Sequence, residues 1–126
     1  MAKPRIMLLD DEATTRTLLK IFLLNQPLEV VELSNPADAL AQLQRESFAV
    51  LVVDHNMPGM TGLELLKKLR ASEGERKLPV ILLTGDEDQA LHVKARAMGV
   101  TEFLRKPVAP DVLKAAIARH LPTSAT

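Results

Sequence analysis

Residues Val50-Leu51-Val52-Val53-Asp54 form an unbroken apolar run of strand length that ends on a carboxylate. A strand with one face in water alternates apolar and polar residues, whereas an unbroken apolar run is typical of a strand buried on both faces. Nearly unbroken runs also occur at Ile6–Leu9, Val80–Leu83, Phe103–Leu104 and Val30–Leu33, the last of which contains Glu32. The sequence therefore predicts several buried strands, as in a parallel sheet.

The segments between these strands have apolar residues at helical spacing. Two such sets are Leu18, Leu19, Phe22 and Leu23, and Leu63, Leu65, Leu66 and Leu69. Capping signals agree, since Asn35 precedes a proline and Thr61 stands three residues before Glu64. A last helix is predicted from Pro110 to Pro122. Strand and helix thus alternate five times, which predicts an α/β fold: a doubly wound (βα)5 five-stranded parallel sheet covered by helices on both faces.

The length of the chain fits one compact domain. A chain of 126 residues can bury a single core but is too short for two. There is no internal repeat, low-complexity tract or linker, and the charged stretch 73–77 is predicted to be a loop. We therefore expect one domain over residues 1–126, with its core at about residues 5–121.

Composition argues against several classes of function. Three Phe and no Trp or Tyr leave no aromatic platform for stacking bases, and sixteen Lys and Arg balance sixteen Asp and Glu, so direct nucleic-acid binding is not expected. The absence of Cys excludes disulfides and thiolate metal sites. The first apolar run is too short for a signal peptide or a membrane span, so we expect a cytoplasmic protein without membrane contact.

Acidic residues follow two of the predicted strands. Asp10 and Asp11 come directly after the first strand, and Asp54 ends the third. Ligands of open parallel sheets bind beyond the carboxyl ends of the strands, so these side chains converge if the two strands are neighbours. Two carboxylates about 4 Å apart repel by roughly 4 kcal/mol at an effective dielectric of about 20, which implies a bound cation. Oxygen ligands without His or Cys favour Mg²⁺ or a similar ion such as Mn²⁺.

The other strand ends carry groups that suit a phosphoryl group. Thr84 closes the fourth strand with a hydroxyl, and Lys106 follows the fifth with a positive charge. A carboxylate can attack phosphorus and form an aspartyl phosphate, and catalysis of that transfer is mostly positioning and charge neutralisation. Asp54 is therefore the candidate nucleophile, with a metal at Asp10 and Asp11 and with Thr84 and Lys106 at the phosphoryl oxygens.

Rival phosphate sites fit the sequence less well. The first strand–helix turn is acidic where a dinucleotide fold has a glycine-rich motif, and no P-loop motif is present. Phosphatases with an aspartyl nucleophile commonly have a second Asp two residues later, where this chain has Asn56. An enzyme acting on phosphorylated small molecules would also need a substrate pocket and a second acid-base residue, and the sequence indicates neither.

The chain resembles the receiver domains of response regulators in two-component signalling, which form the CheY-like superfamily. Four motifs carry the resemblance: Leu8-Leu9-Asp10-Asp11-Glu12, the run Val53 to Gly62, Leu82-Leu83-Thr84-Gly85, and Phe103-Leu104-Arg105-Lys106-Pro107. They lie in order at matching strand ends, and the likeness covers the whole predicted core. The resemblance implies the flavodoxin-like strand order 2-1-3-4-5.

The resemblance also implies the role of each site residue. Asp54 would take a phosphoryl group from a phosphohistidine on a sensor histidine kinase or a histidine phosphotransfer protein. Mg²⁺ would lie among Asp10, Asp11, Asp54 and the backbone carbonyl of Asn56. The bond between Lys106 and Pro107 would be a cis peptide. The protein's only chemistry would be its own phosphorylation and dephosphorylation, so it would be a switch rather than an enzyme.

In receiver domains the signal passes from the phosphoryl group to the surface of the fourth helix, fifth strand and fifth helix. The resemblance implies that Thr84 moves toward the phosphoryl group and that Phe103 turns inward. Many relatives have Tyr where this chain has Phe103, and Ala is frequent where it has Gly85. These two departures from the family pattern concern signalling more than phosphorylation. The downstream target or output domain, and a phosphorylation-dependent dimer, are left open, as is whether the chain stands alone or belongs to a larger regulator or hybrid kinase.

A different class of function is kept as the alternative. A pseudo-receiver has the same fold but is a protein-interaction module that does not respond to phosphorylation. Taken singly, Asp11 is as well explained as a helix cap and Asp54 as a turn residue. The joint presence of the acidic, Thr and Lys positions favours a working receiver.

Overall fold

The structure of the protein is a computed structural model that describes residues 3–74, 77–85 and 89–121. Strands and helices alternate along the chain: β1 (Arg5–Leu9), α1 (Ala13–Phe22), β2 (Glu29–Leu33), α2 (Pro36–Arg45), β3 (Val50–Asp54), α3 (Gly62–Ser72), β4 (Val80–Thr84), α4 (Gln89–Ala97), β5 (Glu102–Arg105) and α5 (Pro110–His120). The predicted (βα)5 pattern is confirmed. Pro122, predicted to end the last helix, and part of the predicted loop 73–77 lie outside the described residues.

The strands form one parallel sheet in the order β2-β1-β3-β4-β5, as the resemblance implied. The order makes β1 and β3 neighbours, and their register pairs Leu9 with Val53. Asp10 follows Leu9 and Asp54 follows Val53, so both aspartates lie at the same edge of the sheet. On the other side of β3, Asp54 pairs with Leu83, which places Thr84 at this edge as well.

The sheet has a hydrophobic core on each face, which explains why its central strands are apolar except at their ends. Along β3, Val50 and Val52 face the core that contains Leu19 of α1 and Leu113 of α5. The alternate residues of β3 face the second core, which contains buried side chains of α2, α3 and α4. Every residue of β3 is buried. The apolar run at residues 50–53 is therefore a strand with no solvent-exposed face.

The predicted helix starts are confirmed by their capping contacts. Asn35 accepts hydrogen bonds from two backbone amides in the first turn of α2, and Pro36 is the first residue of that helix. At the start of α3, the Thr61 hydroxyl accepts from the Glu64 amide at 3.1 Å while the Glu64 carboxylate accepts from the Thr61 amide at 3.0 Å. Each cap satisfies amides that an unprotected helix end would leave without partners.

Candidate functional site

Three carboxylates meet where β1 and β3 end. One oxygen from each of Asp10, Asp11 and Asp54 can be chosen so that all lie within 4.8 Å of one another. Asp10 and Asp54 are each 1% exposed, whereas Asp11 is open to solvent. Carboxylates this close and this buried repel one another unless a cation or a proton lies among them.

The charged form of the Asp10 carboxyl is disfavoured by burial and, to a smaller extent, by this repulsion. Burial raises its pKa, and the negative charges of Asp54 and Asp11 add to the rise, while a hydrogen bond from the Glu12 amide and the charge of Lys106 oppose it. The Glu12 amide donates to Oδ1 of Asp10 at 2.9 Å. Oδ2 of Asp10 is buried and has no hydrogen-bond partner among the described residues. A buried oxygen of this kind suits a cation ligand, so the residues present fit Mg²⁺.

The Asp54 carboxylate is oriented by contacts at one of its oxygens. Oδ1 of Asp54 accepts from the backbone amide of Asn56 at 3.4 Å, and Nζ of Lys106 lies 3.3 Å from the same oxygen. The Lys106 side chain is partly exposed. The backbone amide of Lys106 donates to the Thr84 carbonyl at 3.0 Å, which ties the lysine to the end of β4.

The close approach of α3 depends on Gly62, the first residue of that helix. A Cβ atom at Gly62 would lie 2.7 Å from Cδ1 of Leu82 and 2.8 Å from the carbonyl oxygen of Asp54, distances that real Cβ atoms do not show. The Gly62 amide donates to the carbonyl of His55 at 2.9 Å, and the His55 amide donates to Leu83 in β4 at 2.9 Å. These contacts hold the segment that follows Asp54 in place.

The two predicted switch residues lie on neighbouring strands. Thr84 is the last residue of β4 and is buried at the edge that holds the carboxylates. Phe103 in β5 is half-buried, and its ring stacks on His92 of α4 with centroids 4.4 Å apart and an interplanar angle of 30°. The aromatic ring therefore packs against α4 in this structure. The peptide bond between Lys106 and Pro107 is cis.

The structure brings most of the predicted site residues together. Asp10, Asp11, Asp54 and Lys106 form one cluster, and Thr84 lies at the same edge of the sheet. Asn56 reaches the cluster through its amide, and the metal-binding role of its carbonyl stays a prediction.

Arg16 is a residue that the sequence pattern did not reveal. Its Nη1 atom donates to the backbone carbonyl of Asp10 at 2.7 Å. In the sequence Arg16 lies within α1 among polar residues, so nothing distinguishes it from a solvent-facing charge.

The response regulator receiver domain family matches residues 6–118 of the chain. This span covers most of the sequence, and the chain therefore belongs to that family. The resemblance of the four strand-end motifs is thereby confirmed, and the protein is a receiver domain of the two-component signalling type.

Particular relatives support this assignment. The chemotaxis protein CheY of Pseudomonas aeruginosa is 34% identical over 116 residues, which are 91% of this chain and 94% of that protein. The cyclic di-GMP phosphodiesterase response regulator RpfG of Xanthomonas campestris is 35% identical over 112 residues, which are 87% of this chain but 30% of that protein. The chain thus spans nearly the whole of the first relative and less than a third of the second.

A solved structure shows the same fold. The chemotaxis protein CheY4 of Vibrio cholerae superposes with a TM-score of 0.87 at 30% sequence identity, and the match covers 95% of this chain and 100% of that one. None of the described helices has the length and hydropathy that are needed to span a bilayer.

Proposed function

We propose that this receiver domain is a switch activated by Mg²⁺-dependent phosphorylation of Asp54. The phosphoryl donor would be a phosphohistidine on a sensor histidine kinase or a histidine phosphotransfer protein. The observation that carries the proposal is the meeting of three carboxylates beside Lys106, with one buried oxygen of Asp10 left without a partner among the described residues. A cluster of this kind is costly in a purely structural role and useful for holding a cation next to a phosphoryl group.

The transfer itself needs little beyond position and charge. An oxygen of the Asp54 carboxylate would form a bond to phosphorus while the bond between phosphorus and the donor imidazole breaks, and the electron pair of that bond returns to the imidazole nitrogen. Mg²⁺, or Mn²⁺ in its place, would be held by Asp10, Asp11, Asp54 and the Asn56 carbonyl, and would neutralise negative charge on the carboxylates and the phosphoryl oxygens.

Lys106 and Thr84 would stabilise the product. Lys106 already pairs with Oδ1 of Asp54, so its charge is in place to pair with a phosphoryl oxygen bound there. The Thr84 hydroxyl would donate to another phosphoryl oxygen. Its movement would leave space for Phe103 to turn inward and away from His92, and the surface of α4, β5 and α5 would change with it. This chain would then act by binding partners rather than by turning over a substrate.

The test is to incubate the protein with a small phosphoryl donor, such as acetyl phosphate, and to record its intact mass promptly. We expect one added phosphoryl group on the wild type with Mg²⁺, none with a chelator, and none on Asp54→Asn with either. Asp111→Asn is the matched control, because it removes a carboxylate that is 98% exposed on α5 and lies outside the acidic cluster. We expect this variant to be phosphorylated like the wild type.

Either of two results would contradict the proposal. Phosphorylation of Asp54→Asn would remove Asp54 as the acceptor. A folded wild type that gains no mass under any condition would favour the pseudo-receiver, a protein-interaction module whose acidic cluster is not used for chemistry.

A further inference from the structure

The end of β1 is held by the side chain of Arg16, which contacts the backbone carbonyl of Asp10 and not its carboxylate. Asp10 lies one residue beyond β1, and its backbone carbonyl accepts a hydrogen bond from Nη1 of Arg16 at 2.7 Å. Hydrogen bonds from a guanidinium are charge-assisted and stronger than those between neutral groups. The Arg16 side chain is 17% exposed, so solvent competes little for this contact.

Arg16 is itself held from a second direction. Its Nε atom lies 3.5 Å from a carboxylate oxygen of Glu32 in β2, and Nζ of Lys20 lies 2.9 Å from the other oxygen of Glu32. The guanidinium is planar and presents its donors in a rigid fork, so contacts at Nη1 and Nε together define its position. Arg16 therefore connects α1, the end of β2 and the end of β1.

The position of the Asp10 carboxylate depends on its backbone. The Glu12 amide holds Oδ1 at 2.9 Å, which leaves Oδ2 as the buried oxygen available to a cation. On the backbone of Asp10, the amide donates to Leu33 in β2 at 3.2 Å, and the carbonyl accepts from Arg16. A change in the peptide that follows Asp10 would move Asp11 and the Glu12 amide together, and with them two of the proposed metal ligands.

We infer that Arg16 is a positioning residue for the metal site: it holds the turn that carries Asp10 and Asp11 through the Asp10 carbonyl, without contact with the ion or the phosphoryl group. This inference rests on the proposed function, because it needs the acidic cluster to bind Mg²⁺. Residues that orient metal ligands typically contribute about 10-fold or more to metal affinity. Loss of the Arg16 contact should therefore weaken Mg²⁺ binding, while the variant should still fold.

The experiment compares Arg16→Met with Lys20→Met, two variants that each remove one cationic partner of Glu32. Only Arg16→Met also removes the hydrogen bond to Asp10. Mg²⁺ dissociation constants are measured by isothermal titration calorimetry, and unfolding is measured in urea with a chelator present. We expect Arg16→Met to raise the dissociation constant about 10-fold and Lys20→Met to change it less than about twofold. We expect both variants to fold in chelator.

A second measurement separates positioning from chemistry. At saturating Mg²⁺, phosphorylation of Arg16→Met by acetyl phosphate should return to the wild-type rate, because Arg16 does not touch the reacting atoms. If Arg16→Met does not fold, Arg16→Lys replaces it, since lysine offers one nitrogen where Arg16 uses two.

The outcomes distinguish the two proposals. Wild-type Mg²⁺ affinity in the Arg16 variant would overturn the inference, and so would an equal loss in Lys20→Met, which would assign the effect to Glu32. A wild type that binds no Mg²⁺ would overturn both the inference and the metal site on which it rests. A wild type that binds Mg²⁺ but cannot be phosphorylated would overturn the proposed function. The role of Arg16 would then still be tested by the Mg²⁺ affinities of Arg16→Met and Lys20→Met.

Discussion

At the level of single residues, Asp10 is a buried carboxylate that is repelled by the neighbouring charges of Asp54 and Asp11. Its pKa is raised by burial first and by the charges of Asp54 and Asp11 next, so ionised Asp10 destabilises the folded state in the absence of a cation. The raised pKa means that the folded protein binds more protons than the unfolded chain over the interval between the two pKa values. The contribution of Asp10 to the unfolding free energy therefore falls as pH rises through that interval.

Replacement of Asp10 should remove this penalty. In chelator near pH 7, we expect Asp10→Asn to raise the free energy of unfolding by on the order of 1 kcal/mol, because the crowded, partly unpartnered carboxylate becomes neutral. The gain should shrink as the pH falls from 7 toward the raised pKa of the wild-type carboxyl, because Asp10 then takes up a proton and loses its charge. Urea unfolding of both proteins across this range measures the difference.

The same pair of proteins provides the control for the Asp10 prediction. With Mg²⁺ present, the wild type should gain stability by binding the ion, and Asp10→Asn should gain less. If Asp10→Asn is less stable than the wild type in chelator at neutral pH, repulsion between the carboxylates does not destabilise the folded protein.

Among the elements, α3 approaches β3 and β4 closely at Gly62. Because a Cβ at Gly62 would meet Leu82 and the Asp54 carbonyl at less than 3 Å, a methyl group there must move the helix or the strand. We expect Gly62→Ala to lower the free energy of unfolding by about 1–3 kcal/mol and to slow phosphorylation of Asp54. Chemical unfolding and the mass assay measure the two effects.

Gly85 provides the matched control at the same edge of the sheet. A Cβ built at Gly85 has no atom of the described residues within 4 Å, so Gly85→Ala should fold with nearly wild-type stability. Equal stability of Gly62→Ala and the wild type would show that α3 can shift away from Asp54 without cost.

At the scale of the whole molecule, Arg70 joins parts of the chain that lie far apart in the sequence. The Arg70 guanidinium donates to the carbonyl of Gly99 at 2.8 and 3.1 Å and to the carbonyl of Leu78 at 2.8 Å, and it pairs with Glu73. These contacts connect the end of α3 with the segments that precede β4 and β5. They therefore lie at the edge of the sheet opposite to the acidic cluster.

Loss of this connection should affect stability and not the site. We expect Arg70→Ala to lower the free energy of unfolding by about 2–3 kcal/mol, because carbonyls that now accept from a charged donor lose it. Mg²⁺ affinity should stay at the wild-type value, and urea unfolding with Mg²⁺ titration measures both. Lys67→Ala is the control on an exposed position of the same helix. A weakened Mg²⁺ affinity in Arg70→Ala would contradict the separation of the two edges.

The strands and helices, their order along the chain and the residue types at the strand ends could be predicted from the sequence. The reason is local: an apolar run such as residues 50–53 and a cap such as Asn35 act through neighbours in the chain, so their spacing is readable. The strand order came from the resemblance, and the structure confirms it.

The contacts between side chains of different elements could not be predicted from the sequence. The unpartnered oxygen of Asp10, the clash that excludes a side chain at Gly62, and the bond from Arg16 to the Asp10 carbonyl depend on how β1, β3, α1 and α3 pack together. An arginine in an amphipathic helix has the same appearance in the sequence whether it faces water or a backbone carbonyl, because its long side chain reaches either. Packing alone makes that choice.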